Sequence, residues 1–87
     1  MGIEKYTWLE RAKETHNFHV RKIRGSPNWS IRKTASLLRR SLGSISEDLL
    51  IASWYKSHRT IIEKFEFAYQ ALEYIREKEK ERLEEIE

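Results

Sequence analysis

The chain has 87 residues, no cysteine, 17 Lys+Arg against 14 Asp+Glu, a net charge of +3 and a sequence pI near 9.3. Charged residues make up 36% and apolar ones 39%, and no apolar run approaches the ~18 residues of a membrane span, which excludes a spanning helix. Lack of cysteine removes disulfides and thiolate metal sites, and a single domain this short rarely encloses a substrate pocket, which argues against an enzyme.

The N-terminus carries Glu4 and Glu10 and no apolar segment, so no signal peptide is expected and a cytoplasmic or nucleoid-associated location is. Three Gly and one Pro are too few turn residues for an all-β domain, so the expected fold is all-α, with four or five helices in a single domain over 1–87. Thr7-Trp8-Leu9-Glu10 fits a capping box and starts a helix at about Trp8. That helix ends at Asn17 or runs through Phe18, Val20 and Ile23 to about Arg24. The alternation of Phe18 and Val20 with His19 and Arg21 also permits a short strand, but a lone strand would have no partner.

Gly25-Ser26-Pro27-Asn28 is the clearest break. Ser30 then caps a short helix from Ile31 to about Arg39, with Ile31, Ala35 and Leu38 at helical spacing. The next helix has two candidate N-caps, Ser41 and Ser44, and runs through Ile45, Leu49 and Ala52 to about Trp54 or Tyr55. From about Ser57 to Glu87 there is no Gly or Pro, and one long helix is expected. On it Ile61, Phe65, Ala68, Leu72 and Ile75 are spaced 4-3-4-3 and make a candidate self-association seam, which the packing of this helix on its own domain would explain equally well. The heptad fails at Glu79 and Arg82, and Leu83 and Ile86 resume it only after a one-residue shift. Phe67 and Tyr74, seven apart, form a second apolar stripe, which is the main sequence argument for a second subunit.

Charge is unevenly spread. From Thr15 to Ser46 there is no acidic residue but seven basic ones: Arg21, Lys22, Arg24, Arg32, Lys33, Arg39 and Arg40. A single-sign stretch of this kind attracts phosphate backbones, although solvated charge runs without a partner are common.

The stretch from Ile31 to Leu50 reads as a helix, a tight turn and a second helix. Ala35 is the small residue where the two would touch, with Leu38, Ile45 and Leu49 as apolar pins. With Ser41 and Ser46, these residues resemble the helix-turn-helix DNA-binding superfamily of phage, plasmid and prokaryotic type, over about residues 31–54. The resemblance implies a recognition helix presenting Ser41, Leu42, Gly43, Ser44, Ser46 and Glu47 to the major groove of double-stranded DNA, with the seven basic residues on phosphates. It implies a non-enzymatic regulator; the apolar stripes of the last helix add the expectation of a homodimer or larger homo-oligomer, and composition and length that of no cofactor, metal, membrane or small-molecule substrate. One departure concerns the turn, where the family usually has Gly and this chain has Arg39. A left-handed backbone there costs a non-Gly residue roughly 1 kcal/mol.

The same architecture suits a small DNA-packaging (terminase) or plasmid-partition subunit. A helical adaptor docking an acidic protein on the basic face is the alternative of another class, and an RNA-binding role follows it. His16, His19 and His58 could form a three-His metal site only without any supporting carboxylate, and surface or half-buried histidines are the expected reading. Trp29 and Trp54 could stack bases but are expected to bracket the motif as core residues.

Overall fold

A computed structural model describes residues 7–86, and among them there are five α-helices and no strand. Helix α1 spans Trp8–Gly25, α2 Ile31–Leu38, α3 Leu42–Tyr55, α4 Arg59–Glu63 and α5 Ala68–Ile86. The fold is therefore all-α, with a long C-terminal helix. Glu87 and the segment containing Glu4 lie outside the described residues.

The caps explain the first three starts. The side chains of Thr7, Ser30 and Ser41 accept the backbone N–H of Glu10, Lys33 and Ser44 at 3.1, 3.3 and 3.1 Å, each satisfying a donor that the helix cannot. Ser41 is thus the N-cap of α3, and Ser44 lies within the helix. Helix α1 continues past Asn17 to Gly25, so Phe18–Arg21 is helical.

The single helix expected from Ser57 is instead two. Residues 64–67 interrupt it with no Gly or Pro. The break is held by side chains: Gln70 Oε1 accepts the N–H groups of both Glu66 and Phe67 at 3.0 Å, which caps α5 from its own third residue. Trp8 of α1 donates its indole N–H to the Glu66 carbonyl at 2.8 Å. The freed backbone groups therefore find partners, and the chain can turn where its local sequence favours a helix.

Helix α3 is the axis of the fold and touches the other four helices. Ala12 of α1, Ile51 of α3, Ile62 of α4, and Ala71, Leu72 and Ile75 of α5 form the core, with Trp8, Trp54, Phe65 and Tyr74 packed around it. Beyond Ile75 little of α5 is covered: Arg76 to Glu84 are exposed, apart from a half-buried Glu79.

Candidate nucleic-acid interface

The connection from α2 to α3 is three residues long. Arg39, at its start, has φ 56° and ψ 46°, the only positive φ at a non-glycine residue among those described. The turn thus takes the left-handed form despite lacking Gly. Its N–H donates to the Ser36 carbonyl at 3.2 Å, and the N–H of Arg40 to the Ala35 carbonyl at 3.0 Å. This pair of bonds is the Schellman closure, which caps the last carbonyls of α2 and sets the direction in which α3 leaves. Ala35 and Ile45 are buried, and Leu38 and Leu49 half-buried, where the expected pins of a helix crossing should be.

The site is anchored on Asp48, the only aspartate of the chain, which is fully buried. Arg11 Nη2 lies 3.2 Å from its Oδ1 and Arg40 Nη1 2.8 Å from its Oδ2. Thr15 donates its hydroxyl to Oδ2 at 2.9 Å, Arg40 Nη1 also reaches Thr15 Oγ1 at 3.0 Å, and Arg40 Nη2 bonds Ser44. This network ties α1, the turn and α3 together. A buried carboxylate tolerates the loss of water only when so surrounded.

A second polar tether joins α1 to α2. Buried Thr34 accepts the Trp29 indole N–H at 2.7 Å, and its hydroxyl oxygen lies 2.6 Å from His19 Nδ1. Burial, and then the charge of nearby His16, push the His19 imidazole below its ordinary pKa. Trp29 is half-buried, with the ammonium groups of Lys22 and Lys33 over its ring at 5.5 and 5.7 Å. The indole thus gathers basic residues from the end of α1 and the start of α2.

Of the seven basic residues proposed for phosphates, Arg21, Lys22, Arg24, Arg32, Lys33 and Arg39 are exposed. None of these six belongs to an ion pair among the described residues. Arg40 is different: its side chain is only 21% exposed and is turned inward onto Asp48, so it braces the turn instead of facing outward. On the first turns of α3, Leu42, Gly43, Ser46 and Glu47 are exposed. Ser41 is engaged as N-cap, Ser44 is half-buried under Arg40, and Glu47 meets Arg76 of α5 at 3.6 Å. Gly43 has open space where a Cβ would stand, so no described residue requires glycine there.

The expected self-association seam is not continuous. Leu72 and Ile75 are buried in the chain's own core, Ile61 is exposed on α4, Phe65 lies in the break and Ala68 begins α5. Tyr74 packs inward against Trp54, His58 and Phe65, while exposed Phe67 stacks on Tyr69. Leu83 is exposed, and the Ile86 side chain lies outside the described residues.

Sequence reasoning missed Asp48, Arg11, Thr15 and Thr34. A signal for Asp48 was present: it stands three residues after Ile45 and four before Ala52, on the buried row of α3. Thr15 likewise continues the row Ala12, Thr15, His19 on α1. No protein-family model, curated protein or solved structure matches the chain.

Proposed function

We propose that the protein is a non-enzymatic duplex-DNA-binding protein, a small regulator that inserts the start of α3 into the major groove. The observation that carries this reading is the α2–α3 turn. Its left-handed Arg39 and Schellman closure present an α3 N-terminus with a glycine that internal packing does not need. Six exposed basic side chains on α1, α2 and the turn, none in an ion pair among the described residues, supply phosphate contacts, which fix orientation without reading sequence. Exposed Leu42, Gly43 and Ser46 include no residue able to make bidentate base contacts, so discrimination is modest and leans on DNA shape.

The test is fluorescence anisotropy of a labelled mixed-sequence duplex, titrated with salt. Binding that weakens steeply with salt is expected. Replacing Arg32 and Lys33 by Ala should lower the slope of log K against log salt by about 2, near 0.9 per phosphate contact. No binding at low salt would sink the reading and make the basic face a docking surface for an acidic protein.

A further inference from the structure

A cleft of about 490 Å³ opens between α1 and the α2–α3 turn, within the size range of small-molecule sites and larger than the chain length leads one to expect. Arg11 and Arg40 stand in it together with Arg21, Phe18 and Leu38, and Glu14 contributes one acidic side chain. We infer that this cleft binds a small amphipathic monoanion, a carboxylate attached to an apolar body.

Three facts define that ligand. First, donors exceed acceptors. Two guanidinium groups share the single Asp48 carboxylate, which Thr15 also occupies, and the exposed guanidinium of Arg21 belongs to no ion pair among the described residues. A guanidinium carries five N–H donors and no acceptor, so an oxyanion is the group that completes the set. Second, the charges of Arg11, Arg21 and Arg40 against Glu14 and Asp48 leave a surplus of one positive charge, which matches one carboxylate. Third, half-buried Phe18 and Leu38 offer apolar walls to the rest of the ligand. Arg40 bonds Ser44 in the first turn of α3, so an anion that draws on Arg40 acts on the element that positions α3.

The experiment is an amide NMR titration of the whole chain with benzoate in the absence of DNA, so its outcome is independent of the DNA reading. Saturable shifts at Thr15, Phe18, Leu38 and Arg40 are expected, with Kd on the order of 1 mM. Benzamide, the neutral analogue, should bind at least about tenfold more weakly, as should benzoate to Arg21→Gln, which removes an exposed side chain and leaves the Asp48 network intact. Lys64→Gln, a charge change outside the cleft, should bind benzoate as the parent does. The inference is overturned by shifts that never saturate, or by equal affinity of Arg21→Gln and the parent.

Discussion

Helices α1–α3 combine apolar packing, with Ala12, Ala35, Ile45, Ile51 and Ala52 buried, with a buried polar network that helices α4–α5 lack among the described residues. The first region contains all four buried polar residues found among those described, Thr15, His19, Thr34 and Asp48, and each has a hydrogen-bond partner on another helix. Among the described side chains the second buries only Ile62, Ala71, Leu72 and Ile75. Apolar contact is non-directional, whereas hydrogen bonds and ion pairs accept only a narrow geometry. The contrast teaches that the region proposed to meet DNA has a fixed helix arrangement, and that α4–α5 supplies apolar cover to the exposed flank of α3.

The largest effects should come from attacking each region at its centre. Ile75→Ala leaves a cavity in the apolar half and should cost about 3 kcal/mol in urea unfolding, nearly independent of salt. Asp48→Ala strands two guanidinium groups; because Arg11 is 42% exposed and partly escapes to water, about 2–3 kcal/mol is expected, at the low end for a broken buried pair. That loss should shrink in high salt, where ions screen Arg11 and Arg40 from each other. Equal salt dependence of the two variants would erase the distinction between the regions.

Smaller changes sharpen it. Arg39→Gly relieves the left-handed backbone and should raise stability by about 1 kcal/mol while flattening the salt slope of DNA binding. Gly43→Ala should add up to about 1 kcal/mol, since a Cβ meets open space, yet weaken duplex binding if α3 approaches the bases closely. Gain in both stability and affinity would remove Gly43 from the interface. The smallest effect concerns pH. The His19 pKa is lowered on folding from 6.5, so its neutral form favours the native state, and stability should be complete above pH 6.5 and decline as pH falls below it. His19→Gln should show a shallower decline by calorimetry between pH 7 and pH 5.

What was legible in the sequence was local. Thr7, Ser30 and Ser41 announce helix starts because a capping hydroxyl acts over three residues. The exposed basic face was legible because charge is additive and needs no partner to be seen. The break at residues 64–67 was not, since its cause is a tertiary bond from Trp8, 58 residues away, joined to the Gln70 cap. The inward turn of Arg40 was hidden for the same reason. Read beside Arg39 it is one more cation, and only the fold shows that Asp48 claims it. The seam Ile61–Ile75 assumed a continuous helix, and the break places its two halves on different elements.

The uncovered half of α5 has a hydrodynamic consequence. The radius of gyration is 14.4 Å. A compact chain of this length would have about 12 Å. By the same scaling a single copy therefore tumbles and elutes as a compact particle about 1.6 times heavier would, so a gel-filtration volume smaller than its mass predicts does not by itself reveal a second copy. Counting copies of this protein calls for sedimentation equilibrium or native mass spectrometry, which weigh the particle without reference to its shape.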